Sequence, residues 1–551
     1  MTTDRRWNGW GDPALEVALS PRAVDGLGGL VGPGSPPQDA TLTSVVASVP
    51  ESRIGQESGL SLDPADRVSH ARGQDATDWI ALRSGRVPAV PDAVARPADA
   101  AAARALLDRA ATAGWTLVPY GGGTSVVGGV TVVASERPVV SVDLRTMSGL
   151  RHLDSVSGLA RFGAGTTGPA VEAALAPQGL RLGHAPQSFE FSTVGGWVAS
   201  RSSGQTSMGI GRIERLFAGG HLEAPAGSLD LPPFPASAAG PDLREAVLGS
   251  EGRLGILTDV VVRATRLPQR EIVRAYSLPD WDRALDFGRA LASAGLPLAM
   301  VRVSTPQETA TTLLIAPERR TTRLLRRYLA ARRHGPESCL ALVGIGGTDR
   351  MVRATEGEVV RHVRARRGIG VPGLGPAWHR ERFRGPYLRN ALWAAGYAVD
   401  TLETAVPWSG VGRLVHELGD TLSTGLATDG ERVHAFAHLS HLYPSGSSLY
   451  VTLVFRIAAD PDETLERWRR LKQLASETIV SHGGTISHQH GVGRVHAPYL
   501  AAEKGALGMD ALRSLVDRFD PGGVLHRGVL LDDGPGAAGD GARDAALDAA
   551  G

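Results

Sequence analysis

The spacing of apolar and polar residues gives this chain two textures. An alanine-rich run over 98–113 predicts a helix stopped by Gly114, and the apolar run 115–118 behind it predicts a buried strand. Another strand is expected over 139–144, a helix over 165–175, and a strand over 260–265 where alternation returns. Residues 269–480 repeat a helix-then-strand pattern instead, with helices over 281–295, 324–333 and 463–482 and strands over 299–304, 340–344 and 449–457. A last helix over 508–519 runs into Asp520-Pro521-Gly522-Gly523. Segments 26–38 and 224–240, rich in small residues and Pro, read as loops, the second longer than most connections. The pattern predicts an α+β chain with an N-terminal extension over 1–85 whose tryptophans dock on the body, two bodies over 86–268 and 269–480, and a return segment over 481–532. Residues 533–551 lack apolar periodicity and are expected to be disordered. No internal repeat is present.

At 551 residues the chain exceeds one ordinary core and can enclose a large cofactor. Its net charge of +1, with both signs mixed along the chain, argues against nucleic acid as a partner. A small acidic ligand would need local arginines. The single cysteine, Cys339, sits in an apolar run, which excludes an internal disulfide framework and reads as core. With no signal pattern and no apolar stretch of roughly 18 residues, the expected setting is the cytoplasm.

The densest chemical signal is Pro119-Tyr120-Gly121-Gly122-Gly123-Thr124-Ser125, continuing to Gly129, directly after the predicted strand. Glycines there bring bare main-chain N–H groups close to an anion, and the two hydroxyls add donors, so a diphosphate-bearing cofactor is the natural guest. The loop matches neither a P-loop nor a dinucleotide fingerprint. Two further segments follow: Gln187-Ser188-Phe189-Glu190-Phe191-Ser192-Thr193-Val194-Gly195-Gly196, running on to Arg201-Ser202-Ser203-Gly204, and Gly249-Ser250-Glu251-Gly252-Arg253-Leu254-Gly255-Ile256.

In order and spacing these three segments resemble the FAD-binding domain of vanillyl-alcohol oxidase and p-cresol methylhydroxylase type flavoproteins. Arg6-Trp7-Asn8-Gly9-Trp10-Gly11, Ser440-His441-Leu442-Tyr443 and Ser487-His488-Gln489-His490-Gly491 narrow the resemblance to the alkyldihydroxyacetonephosphate synthase family, over about residues 6–531. The resemblance implies a two-part FAD-binding domain over 86–268, an α+β cap over 269–480 and a return to the FAD site over 481–532. It carries cofactor contacts onto Pro119, Tyr120, Gly121, Gly122, Gly123, Thr124, Ser125, Gln187, Ser188, Ser192, Thr193, Gly195, Gly196, Arg201, Ser202, Ser203, Gly204, Gly249, Ser250, Glu251, Gly252, Leu254, Gly255 and Ile256. Glu251 could anchor a polar group of the cofactor. No His or Cys lies in the loop where covalently flavinylated relatives carry their attachment, so the FAD is expected to be noncovalent.

The same resemblance places Tyr443, His488, Gln489, His490 and Arg302 in catalysis, and Arg302 with Arg389 in gripping a substrate phosphate, as a planar cationic fork suits. Tyr443 would act as acid or base through a depressed pKa. Gln489 departs from the synthases, which carry three successive histidines: glutamine holds an oxygen but takes no proton. His526-Arg527-Gly528 likewise replaces an Asn-Pro-Gly-like stretch. The pairs His438/His441 and His488/His490 could hold a metal in principle, but no carboxylate is evident near them, so no metal is expected. His434 and His441 keep the spacing of a metal segment of 2-hydroxy-acid dehydrogenases without its intervening residues. The implied reaction is acyl-to-alkyl exchange on acyl-dihydroxyacetone phosphate through a flavin N5 adduct, as in ether-lipid formation. The alternative is hydride transfer to N5 from a 2-hydroxy acid or alcohol. A small molecule is the expected partner, with a phosphorylated lipid precursor, peripheral membrane contact and a homodimer left open.

Overall fold

Helix Ala100–Ala113 begins where Asp99 accepts a hydrogen bond from the Ala102 amide and ends at Gly114, which takes the left-handed φ of 70° that a C-terminal glycine tolerates. Its buried face, Ala103, Leu106, Leu107 and Ala110, packs on Leu117, Val140 and Val142. Those three lie in strands Thr116–Tyr120 and Val139–Asp143, parallel neighbours in a four-stranded sheet with Ala93–Ala95 and, at the edge, Leu60–Ser61. The computed structural model describes residues 5–316 and 320–533, so of the segment expected to be disordered only Asp533 falls within the description. Arg253 holds Asp533, the first residue of that segment, at 2.6 Å.

A five-stranded antiparallel sheet follows, in the order Leu150–Asp154, Leu159–Gly163, Ile256–Arg263, Phe217–Ala224, Gly227–Leu231. The expected loop over 224–240 therefore begins as a hairpin. Pro225 and Ala226 make the turn, Gly227 opens the returning strand at φ 140°, and Leu231 is buried on the sheet, which the Ala and Pro content around it obscured.

The largest sheet has seven strands, every adjacent pair antiparallel: Ile369–Gly370, Arg270–Leu278, Cys339–Gly347, Leu298–Ser304, His434–Tyr443, Gly446–Arg456, Tyr397–Pro407. Helices Trp281–Ser293, Asp349–Ala365, Trp408–Thr424 and Pro461–Ser481 pack on one face through Phe287, Val359, Leu418 and Leu471. Alternation decides what the other face carries. Ala435, Ala437 and Leu439 point to the helices, so Phe436 and His438 point away; Leu449, Val451 and Leu453 do the same for Tyr450, Thr452 and Val454.

The described part of the extension, from Arg5 onward, packs on the body. Of the stretch expected as loop over 26–38, residues 32–38 are loop, but 26–31 complete helix Pro21–Val31: Ser20 caps it, Pro21 starts it, and Ala23, Leu27 and Val31 recur every four residues on one buried face. Leu27 and Val31 pack on Leu392, Tyr397 and Val454, burial worth about 2 kcal/mol per side chain, which outweighs the glycine penalties. Trp10 docks edge-to-face on Phe191 at 5.7 Å, and Asn390 Nδ2 donates to its carbonyl at 2.9 Å. Near the other end, helix Leu500–Phe519 is kinked at Gly505, and Leu525 pairs in parallel with Leu117. Among the described residues no helix is long and apolar enough to cross a membrane.

Candidate active site

A cavity of about 510 Å³ lies between the glycine loop and the open face of the seven-stranded sheet. All of Pro119, Tyr120, Gly121, Gly122, Gly123, Thr124 and Ser125 line it. A Cβ on Gly122 would stand 2.0 Å from the Phe191 carbonyl oxygen, so only glycine lets the two segments close there. Among the described residues no acceptor takes the amides of Gly122, Gly123 or Thr124, while Arg5 from the extension donates to the Gly122 and Gly123 carbonyls. The loop thus offers unpaired donors to the cavity. Gln187, Ser188, Ser192, Thr193, Gly195, Gly196, Ser202, Ser203, Ser250, Gly252 and Gly255 continue the wall. Ser203 Oγ is buried with no protein partner, an orphan that a polar ligand would satisfy. This donor set suits the diphosphate and polar edges of FAD.

Five residues expected to touch a cofactor are not on the wall. Leu254 and Ile256 are buried in the cores beneath it, Arg201 turns outward to Glu245 at 2.7 Å, Gly204 packs on the His184–Ala185 backbone, and Gly249 makes a turn at φ 79°. Glu251 reaches the wall, but both its oxygens accept main-chain amides, from Val492 and from Gly493 at 2.7 Å. Burial raises its pKa to about 7 against the pull of those two amides. The structure uses it as a tether for the return segment. His526, in the departing C-terminal stretch, contacts the Gly129 carbonyl through Nε2 at 3.1 Å.

On the sheet side, rows of cross-strand neighbours grade from polar to apolar. His438 faces Tyr450, which faces Glu403; Phe436 faces Thr452 and Thr401; His434 faces Val454 and Val399. Arg302, Arg389, Gln489 and His490 line the cavity. Arg302 is already matched: Glu308 holds it at 2.7 Å and lies 2.9 Å from His438 Nδ1. Burial would raise the Glu308 pKa, yet Arg302 and His438 bring it down to about 2. Arg389 is different. Its guanidinium lies 4.3 Å over the Trp79 ring and donates to the Gln74 carbonyl, but among the described residues it makes no ion pair. Burial pulls its pKa down to about 10, with Asp400 and Asp75 opposing from a distance.

Tyr443 and His488 lie one layer behind the wall, sharing a 2.7 Å hydrogen bond between Oη and Nε2. Burial raises the Tyr443 pKa, against the opposing effect of Arg212, so the expected depressed phenol is not what this environment produces. Burial also lowers the pKa of His490, which stands edge-on to Tyr450 at 5.6 Å and is held neutral. The two short-spaced histidine pairs split. A bulge between Leu439 and Leu442 turns His441 away from His438 toward Ser207 Oγ at 2.9 Å, and His434 bonds Thr311 at 2.7 Å. Carboxylates do reach these histidines, contrary to the expectation: Glu308 meets His438, and Glu403 meets His441 and His488, the ligand atoms of the latter three lying within 4.8 Å of one another. Sequence reading missed Glu403, Glu308, Trp79 and Arg212. The one usable signal was Glu403 at an inward position between Thr401 and Ala405, and it required recognising strand Tyr397–Pro407 first.

The fold and cavity define a flavin-dependent enzyme of the FAD-linked oxidase class. Residues 91–229 match the FAD binding domain, and 267–530 match the C-terminal domain of FAD linked oxidases. Alkyldihydroxyacetonephosphate synthase of Dictyostelium discoideum is 30% identical over 86% of this chain and 78% of its own length, and that of Trypanosoma brucei brucei is 28% identical over 86% and 79%. A solved alkyldihydroxyacetonephosphate synthase structure superposes with a TM-score of 0.80 at 26% identity, covering 94% of this chain and 98% of that one. The chain belongs to the alkyldihydroxyacetonephosphate synthase family and is an FAD-dependent enzyme.

Proposed function

We propose that this enzyme exchanges the acyl chain of an acyl-dihydroxyacetone phosphate for a fatty alcohol, forming an ether-linked product. The observation that carries the reading is Arg389: an arginine kept in a cavity with no carboxylate partner among the described residues is set for an anionic ligand, and its fork suits a phosphate. The cavity matches the rest of such a substrate, since Leu27, Ile315, Leu392, Val399, Phe436 and Val454 give it an apolar end able to house an alkyl chain and exclude water.

When bound, FAD supplies an electrophilic ring that accepts an electron pair from a deprotonated substrate carbon. The protein's own part is binding and proton handling. Arg389 fixes the phosphate. Arg302, neutralised by Glu308, contributes donors rather than net charge to the wall. On this reading His490, neutral and lining the cavity, takes the proton from the substrate carbon, and Gln489 offers its carbonyl to the substrate where a histidine would have competed as base. Tyr443 keeps its proton and shares it with His488. Segment 119–129 contains neither His nor Cys, which supports noncovalent FAD.

The test is anaerobic flavin absorbance of the purified enzyme. Bleaching by acyl-dihydroxyacetone phosphate, with fatty acid released and no external acceptor consumed, is the expected result. Bleaching only by a 2-hydroxy acid or an alcohol, reversed by an electron acceptor, would replace this reading with the dehydrogenase one.

A further inference from the structure

Behind Gln489 and His490 the open face of the sheet carries a carboxylate that no part of the reaction described so far uses. Glu403 lies on strand Tyr397–Pro407, directly across from Tyr450, and is 1% exposed. Each of its oxygens has a defined neighbour. Ser440 donates to Oε1, Gln489 Nε2 donates to Oε2, and His488 Nδ1 lies 3.2 Å from Oε1. His488 Nδ1 is buried and makes no well-angled hydrogen bond, with Glu403 Oε1 the carboxylate oxygen beside it at 3.2 Å, while its Nε2 is engaged by Tyr443 Oη at 2.7 Å.

We propose that Glu403 is the positioning residue of this active site, holding His488 as the Nδ1–H tautomer toward Tyr443 and turning the Gln489 carbonyl toward the cavity. A carboxylate only accepts hydrogen bonds. Facing Glu403, His488 must therefore present N–H at Nδ1, which leaves the Nε2 lone pair to accept from the Tyr443 hydroxyl. By the same rule Gln489 must give its NH₂ to Glu403 and keep its carbonyl for the wall. One buried charge thereby fixes the polarity of two neighbours, and of Tyr443 through the first. Leaving so buried a carboxylate uncompensated would be costly; the surrounding donors and the histidines keep it ionised, and its pKa is held well below the ordinary range even though burial acts the other way.

Ring geometry favours this role over metal ligation by Glu403, His441 and His488. The His441 and His488 rings stack, with centroids 5.0 Å apart and planes 28° from parallel, whereas two imidazoles sharing an ion aim their in-plane lone pairs at one point.

The proposal rests on the synthase reading only for its kinetic arm. Its primary test is independent of substrate: nitrogen-15 NMR of histidine-labelled, FAD-loaded enzyme, with the His488 signals identified by their loss in His488→Asn. Wild type is expected to show a protonated Nδ1 and an acceptor-type Nε2 for His488. In Glu403→Gln that fixed tautomer is expected to be lost or reversed while FAD content stays at wild-type level. With whichever substrate reduces the flavin, kcat is expected to fall on the order of 100-fold with KM nearly unchanged. Glu403→Asp is expected to recover the tautomer at least in part. An unprotonated Nδ1 in wild type, a tautomer unchanged in Glu403→Gln, or a stoichiometric transition metal whose removal abolishes turnover would each overturn the assignment. If the enzyme proves to be a dehydrogenase, the NMR result stands or falls on its own.

Discussion

Replacing Arg389 by methionine removes the cation and keeps most of its apolar stem, and the structure sets opposite expectations for stability and for binding. A pKa drawn from 12.5 to about 10 means that burial disfavours the charged form by about 3 kcal/mol, at about 1.4 kcal/mol per pH unit. Contact with the Trp79 ring returns about 1 kcal/mol and the bond to the Gln74 carbonyl about 1.5 kcal/mol. The two sides nearly cancel, so Arg389→Met should leave the unfolding free energy of the FAD-loaded enzyme within about 1 kcal/mol of wild type. Two charge-assisted hydrogen bonds to a phosphate are worth about 1.5–3 kcal/mol each, so dihydroxyacetone phosphate should bind about 100- to 10,000-fold more weakly. Calorimetric titration with dihydroxyacetone phosphate, run beside chemical denaturation of both proteins, reads the two quantities separately. Equal affinity within about threefold would refute the phosphate role. A loss of several kcal/mol of stability would show instead that Arg389 is a structural cation.

Gly122→Ala puts a Cβ 2.0 Å from the Phe191 carbonyl oxygen, so it should purify with less than a tenth of the wild-type flavin, read from the ratio of visible to protein absorbance, while circular dichroism stays native. Glu308 has its pKa lowered from 4.5 to about 2, so its contribution to stability is complete above pH 4.5 and is lost as pH falls through about 2; denaturation midpoints for Glu308→Gln should lie below wild type at neutral pH and converge with it at pH 2. Tyr443→Phe keeps the ring and removes the hydroxyl bonded to His488, so turnover should drop about 100-fold or more with FAD retained; unchanged single-turnover rates would end its catalytic role. Leu27→Trp fills the apolar end of the cavity, and initial rates should fall steeply for long-chain substrates but little for short ones.

Much of the cofactor side was legible in the residue order because its constraints are local. A glycine loop after a strand needs glycines wherever it comes close to another segment, as at Gly122, whereas the serine- and glycine-bearing stretches that share its wall were assigned through the family resemblance. Helix Ala100–Ala113 and the strands beside it followed from periodicity and from the glycine that ends the helix. Glycine content misled at Pro21–Val31, where an apolar face buried against residues near position 392 and beyond outweighed weak helix propensity. The partners of the candidate catalytic groups came only from tertiary structure. Glu403 stands 85 positions before His488, and Arg389 lies 310 after Trp79, whose ring supports it. Their charge states and tautomers depend on burial and on the donors the sheet register brings across to them, and neither quantity is a property of the neighbouring letters. The sequence by itself determined which side chains exist to do the chemistry and the glycines that let a diphosphate approach. The seven-stranded sheet decided which of them meet, because strand pairing sets residues far apart in the chain side by side on one face.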